Sequence, residues 1–295
     1  EPGQTVVVCV NGVFGGRMRE IVARCGGVPV VLDSEWGSPV DPERLDQTLA
    51  SHPEAELVAF VHAETSTGAL SDAARISEVA HRHGCLVVAD AVTSLGGVPL
   101  LVDEWQLDAV YSGSQKCLSC VPGLSPVTFG PRAVERVSSR EVPVQSWFLD
   151  AELVMGYWGS GSQRSYHHTA PVNALYALHE ALVILHEEGL EASWARHRRH
   201  HQALRAGIDA MGLEFLVDAP HRLPQLNAIR VPQGVDEAAV RKALLDHYSL
   251  EIGAGLGPYA GRIWRIGLMG HTANERNVLL CLGALESVLA DMGAA

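Results

Sequence analysis

Two lysines, Lys116 and Lys242, stand in a chain of 295 residues whose remaining fixed positive charge is carried by arginine. Arginine keeps its proton in any protein environment, whereas a lysine amine can lose it and attack a carbonyl as a Schiff-base nucleophile. Lys242, with Glu237, Arg241 and Asp246 around it in a helix-like stretch, reads as a surface charge. Lys116 differs. It ends the run Tyr111-Ser112-Gly113-Ser114-Gln115-Lys116, in which glycine and small hydroxyl residues suit close approach of backbone to a ligand. A carboxylate that can pair with such a centre is Asp90, which follows the apolar run Cys85 to Ala89.

The elements that must position these residues are legible as alternating short β-rich runs and helix-like stretches, the signature of βαβ units and a largely parallel sheet. Strands are expected over Thr5 to Val10, Val28 to Leu32, Leu57 to His62, Cys85 to Ala89 and Ala109 to Tyr111. Helices are expected over Arg17 to Cys25, from Asp41-Pro42 onward, and over Asp72 to His83. Sheets of this kind bind ligands at the carboxyl ends of their strands. Those ends carry Asn11-Gly12-Val13-Phe14-Gly15, Ala63-Glu64-Thr65-Ser66-Thr67-Gly68, Asp90-Ala91-Val92-Thr93-Ser94 and the Lys116 run, so lysine, carboxylate, aromatic ring and hydroxyls share one rim. After about Gly189 the texture changes to a helix through Trp194, strands near Glu214 to Val217, Asn227 to Val231 and Ile263 to Ile266, and helices over Val235 to His247 and Ala273 to Met292. This predicts a large domain over 1–189 and a smaller α+β domain over 190–295.

A lysine and an aspartate at neighbouring strand ends suit pyridoxal 5'-phosphate, the lysine joining the cofactor aldehyde and the carboxylate holding the pyridine nitrogen protonated. Spacing alone leaves a second reading of Asp90 equally open, as a turn cap. The residues themselves resemble the class V aminotransferases, particularly the alanine–glyoxylate and serine–pyruvate group. The resemblance rests on Val88 to Gly97, Tyr111 to Lys116, Pro122-Gly123, Asn11 to Gly15, Thr65 to Gly68, Tyr166-His167-His168-Thr169-Ala170-Pro171, Leu256-Gly257-Pro258 and Trp264 to Leu268, in family order along nearly the whole chain.

The resemblance implies fold type I and a role for each matched position. Lys116 would be the Schiff-base lysine and proton carrier, Asp90 the partner of the pyridine nitrogen, and Val92 and Phe14 the groups on the two ring faces. Thr65 would touch cofactor or substrate, Gln115 would hold the phosphate, and Tyr166 and Thr169 would reach the phosphate of the neighbouring subunit of a homodimer with shared active sites. Arg265 would hold the substrate carboxylate, a role that the planar fork of guanidinium donors suits independently. The implied reaction moves an amino group from a small L-amino acid such as alanine or serine to a 2-oxo acid, glyoxylate or pyruvate. Ureidoglycine is an alternative donor. A cysteine desulfurase is a rival of the same fold, but such enzymes place His before the lysine where this chain has Gln115.

The chain opens at Glu1-Pro2-Gly3, a turn that in the family follows a helix whose Ser-Gly-His type loop binds the cofactor phosphate. A large domain incomplete at its N-terminus is therefore expected, in a fragment or a shortened homologue, and a weakly active or non-catalytic form is the competing expectation. A net charge of −12 argues against nucleic acid as a partner. No apolar run reaches spanning length, so a cytoplasmic protein that does not enter the membrane is expected. The Arg196-His197-Arg198-Arg199-His200-His201 cluster reads as a solvated helix face, the adjacent His167 and His168 lack partners at metal spacing, and Cys117 with Cys120 reads as two packed thiols. No metal is expected.

Overall fold

The computed structural model describes residues 1–158 and 165–293. In the first half, β1 (Thr5–Val10), β2 (Val28–Asp33), β3 (Ala55–Val61), β6 (Leu86–Asp90), β7 (Ala109–Tyr111) and β8 (Val127–Phe129) form one sheet in the order β2-β1-β3-β6-β7-β8. All neighbours run parallel except β7 and β8. Helices α1 (Val13–Arg24), α2 (Pro42–Ser51) and α3 (Ala73–Arg82) make the crossovers, and the short hairpin of β4 (Ala63–Glu64) and β5 (Ala69–Leu70) lies between β3 and α3. A parallel sheet is covered on both faces, so its strands are apolar runs with little alternation. Five of the six residues of β1 are accordingly buried. One face packs Val7, Phe60 and Val87 against Leu45, Leu49 and Ile76 of α2 and α3; the other packs Val6, Val8 and Val10 against Met18 of α1.

Local chemistry sets the helix starts. The Asp41 carboxylate accepts from the amides of Glu43 and Arg44, and Pro42 supplies the first helical residue. Asp72 and Asp236 cap α3 and α8 (Glu237–Tyr248) in the same way. Between β8 and α8 lie α4 (Pro131–Ser138), α5 (Ala151–Trp158), α6 (Val172–Glu188) and α7 (Leu190–Ala210). The last part is an antiparallel sheet, β10 (Gly253–Ala254), β11 (Ile263–Gly267) and β9 (Leu226–Arg230) in that order, with α9 (Glu275–Asp291) packed on α7 and α8. Its core is built from Leu204, Ile208, Ile229, Leu244, Trp264 and Leu285.

Two readings of the sequence need correction. Glu214 to Val217 is not a strand; Phe215 makes a single bridge to Ile229. Nor is the basic cluster of α7 wholly a solvated face: Arg198 and Arg199 are exposed, but His197, His200 and His201 are buried and Arg196 grips Glu188 and the carbonyls of Gly270 and Ala273. Charged residues alternate there with positions that face α9 and β9, and composition alone does not distinguish the two faces. The six cysteines are free thiols; Cys9, Cys85, Cys117 and Cys281 are buried, Cys120 is partly buried and Cys25 is exposed.

His62, directly after β3, is 3% exposed and meets the Trp105 ring edge-on. Burial pushes its imidazole down to about 4 against a small opposing pull from Asp72. In the unfolded chain the same group takes up its proton near pH 6.5. Stability present above pH 6.5 is therefore lost as pH falls toward 4, by about 3 kcal/mol from this residue, with buried His197 and His201 pushing the same way. Urea unfolding at pH 7 and pH 5 checks this: His62→Gln should flatten the pH dependence, and an unchanged slope would refute the assignment.

Candidate active site

Asp90 is the last residue of β6 and stands in register with Tyr111, the last residue of β7. That pairing lets the Tyr111 hydroxyl donate to Asp90 Oδ2 at 2.8 Å, while the Val92 amide donates to Oδ1 at 2.9 Å. The carboxyl is 7% exposed, and burial raises its pKa against the pull of the Val92 amide, the Tyr111 hydroxyl and Lys116. One oxygen thus serves the turn, as a cap would, and the other faces Tyr111.

Lys116 lies on the loop that leaves β7. Backbone bonds from Ser112 to Pro126, Ser114 to Leu124 and Cys120 to Ser114 fold the loop back, and the Ser119 amide closes on the Lys116 carbonyl at 3.0 Å. Cys117 Sγ donates to the Thr93 carbonyl and ties the loop to the segment after β6. The amine is half-buried; burial lowers its pKa, as does the Arg265 charge, while Cys117 and Asp90 oppose. A lysine held in this way keeps more of its nucleophilic neutral form. Gly113 leaves room for the Gln115 and Val92 side chains, because a Cβ there would lie 2.8 Å from Gln115 Oε1 and 3.4 Å from Val92 Cγ1.

Arg265 arrives from β11. Its Nε donates to the Ala254 carbonyl at 2.7 Å and its Nη1 to the Thr65 carbonyl at 3.1 Å, across 200 positions of sequence. Burial lowers its pKa, Glu64 opposes, and it has no carboxylate within ion-pair distance among the described residues. It is therefore a fixed guanidinium with binding capacity to spare. Thr65 is 4% exposed. Phe14, in the first turn of α1, packs on the Val6–Val8–Val10 face with the Arg17 guanidinium 5.0 Å from its ring centre. Gln115 is exposed.

The structure does not bring every candidate together. Tyr166 and Thr169 hydrogen-bond to each other at 2.7 Å, and Tyr166, 71% exposed, meets only Tyr157 edge-on among the described rings. Neither contacts the Asp90–Lys116 rim within the chain. The neighbouring His167 is buried and stacked on Trp147 at 4.2 Å, so it is not part of a polar loop.

Two residues of the site were given no role on sequence grounds. Tyr111 opens the Lys116 motif, and only strand register shows that its hydroxyl holds Asp90. Glu64 is fully buried; its Oε2 accepts from the Phe14 and Gly15 amides and its Oε1 from the Ser66 amide and hydroxyl. The N-terminus of α1 favours this negative charge, although burial raises the carboxyl pKa. Glu64 so ties the start of α1 to the turn whose Thr65 carbonyl orients Arg265. The available signal was a lone acid in a run of hydroxyls. Glu64→Gln should keep the fold, because one amide oxygen still accepts from α1, but should raise KM for the amino donor about tenfold while kcat changes less, the loss of a charged hydrogen bond being worth about 1.5–3 kcal/mol. Steady-state kinetics of the variant test this, and an unchanged KM would sink it.

The donor set fits pyridoxal phosphate: a half-buried amine that can lose its proton, a buried carboxylate locked by two hydrogen bonds, and a guanidinium with donors to spare. Comparison with known proteins agrees. The family model for aminotransferase class-V matches residues 1–260. The (S)-ureidoglycine–glyoxylate transaminase of Bacillus subtilis is 37% identical over 98% of this chain and 73% of its own length, and the alanine–glyoxylate aminotransferase of Callithrix jacchus is 38% identical over 98% and 70%. The crystal structure of alanine–glyoxylate aminotransferase from Nostoc sp. superposes with a TM-score of 0.95 at 42% identity, over 98% of this chain and 76% of that one. With the parallel sheet, the strand-end lysine and aspartate and these matches together, the chain belongs to the class V aminotransferases.

Proposed function

We propose that this pyridoxal phosphate-dependent transaminase moves an amino group from a small L-amino acid of the alanine or serine type to glyoxylate or pyruvate. The observation that carries the reading is the Lys116 amine, half-buried, with the Asp90 carboxylate and the Arg265 guanidinium both acting on it. Glyoxylate as acceptor draws on the printed activities of the relatives. When bound, the cofactor supplies the electron sink for the pair released as the substrate's α C–H bond breaks. Every other part of the task belongs to the chain. Lys116 Nζ attaches the cofactor and carries the proton. Asp90 holds the pyridine nitrogen protonated, itself oriented by Tyr111 and Val92. Val92 and Phe14 cover the two ring faces, Thr65 meets cofactor or substrate, Gln115 holds the phosphate, and Arg265 takes the substrate carboxylate with the donors it does not spend on Ala254 and Thr65.

Tyr166 and Thr169 are assigned to the phosphate of a neighbouring subunit, so the working form is a homodimer with shared sites. The exposed apolar surface supports this: Trp147, Phe148 and Leu149 are each more than half exposed, and α6, an apolar helix of 17 residues, buries none of them within the chain. We assign residues 1–189 to the large domain and 190–295 to the small one, on the separate cores of the two sheets and the left-handed Gly189 between α6 and α7. Free thiols support a reducing compartment, the cytoplasm. No helix among the described residues is long and apolar enough to cross a membrane.

Borohydride treatment of the cofactor-loaded protein, digestion and mass spectrometry should find a pyridoxyl group on Lys116. Its presence on no peptide, or on Lys242 alone, would overturn the site. Profiling alanine, serine and ureidoglycine against glyoxylate and pyruvate then identifies the pair.

A further inference from the structure

A cavity of about 460 Å³ opens between α7, the Arg222–Pro224 segment and the start of α3, and Lys116 is not among the residues that line it. Its charge is unlike that of the rest of this acidic chain. Arg198, Arg205 and Arg222 line it against one carboxylate, Asp72, which already caps α3 through the Arg75 amide at 3.1 Å. Arg205 has a distant partner in Asp209 at 3.8 Å, one helical turn away. Neither Arg198 nor Arg222 has a carboxylate within ion-pair distance among the described residues. Arg222 is held in place nonetheless, its Nε donating to the Val217 carbonyl at 2.7 Å and its guanidinium lying 4.2 Å from the Phe215 ring centre, so its remaining donors are pre-oriented.

Two residues of the lining, Trp194 and His62, also carry a buried nitrogen that the protein leaves without a partner, Nε1 and Nδ1. Indole nitrogen is only a donor, and a buried imidazole nitrogen donates in one of its two tautomers. Buried donors are almost always satisfied, so the unpaired Trp194 N–H stands out. Guanidinium forks match the geometry of phosphate and carboxylate groups. The volume is that of a small-molecule site.

We propose that this cavity is a second, non-catalytic site that binds a small polyanion, its oxyanionic groups held against Arg198 and Arg222. The site stands apart from the transamination reading and does not depend on it. It lies close to the catalytic machinery in the fold, however: the Leu223 amide, next to Arg222, donates to the carbonyl of Gly68 in the turn that carries Thr65.

The test is isothermal titration calorimetry of the cofactor-loaded enzyme at low ionic strength in a phosphate-free buffer, with pyrophosphate and, separately, citrate. We expect saturable binding at one site per chain by at least one of them, weakened tenfold or more in Arg198→Glu and in Arg222→Glu, with the visible absorption of bound cofactor unchanged. Binding by both probes identifies charge as the recognised feature; binding by pyrophosphate alone identifies the phosphate group, and by citrate alone the carboxylate. Arg198 is exposed on α7, so its variant keeps the test open if Arg222→Glu disturbs the packing on Phe215. Absence of saturable heat with both probes, or equal affinity in the wild type and the Arg198→Glu enzyme, overturns the proposal.

Discussion

Lys116→Arg should abolish transamination, lowering the rate by at least about 10³-fold. Arginine preserves the charge and much of the length, so the loss isolates the one property it lacks, an amine that gives up its proton and adds to a carbonyl. The native environment accentuates that property, because burial and the Arg265 charge hold the amine below the ordinary lysine range. The substitution should leave the fold intact, since the loop is held by the backbone bonds of Ser112, Ser114, Ser119 and Cys120 rather than by the ammonium. Steady-state rates with alanine and glyoxylate, beside a thermal unfolding curve, test both halves. Lys242→Arg is the matched control: that side chain is exposed and pairs with Asp246 one helical turn away, so its variant should retain full activity. Activity within tenfold of wild type in Lys116→Arg would remove the residue from the mechanism.

Asp90→Asn separates charge from shape. The amide oxygen can still accept from the Val92 amide, and the Tyr111 hydroxyl can turn to accept from the new NH₂ group, so the turn after β6 survives. What disappears is a buried negative charge, and a preorganised group facing a developing charge is commonly worth about 10²–10³ in rate. The expected result is a kcat reduced by about that factor, with cofactor affinity reduced less and the unfolding midpoint unchanged or higher, because the buried carboxylate is itself a desolvation cost. If kcat stays within threefold, the carboxylate acts as a cap and nothing more. Glu64→Gln, which acts on KM, and Asp90→Asn, which acts on kcat, should therefore be distinguishable in one set of assays.

The large sheet was legible because the physics that forms it is local. A parallel strand buried on both faces must be a short apolar run, and helix starts such as Asp41-Pro42 declare themselves through their own side chains. The observed bounds of β1, β3, β6 and β7 follow the expected ones within two residues. The region from 127 to 188 was not legible. There α6 is apolar without burying any residue in its own chain, so its amphipathic period is weak and no helix was expected. Gly189 marks where its helical run ends and α7 begins.

The same division applies to the site. Lys116 and Asp90 could be chosen from the sequence because scarcity of lysine and position at a strand end are properties of the chain itself. By itself the sequence determined the fold class, the amine and the carboxylate, and the rim they share. Only the tertiary structure decided that Tyr111 locks Asp90, that Glu64 joins α1 to the Thr65 turn, that Arg265 reaches that turn from β11, and that α7 buries its histidines and turns Arg198 and Arg205 toward a cavity. Each of these depends on strand register or on packing between segments as much as 200 residues apart, and such contacts leave no period or spacing in the chain that makes them.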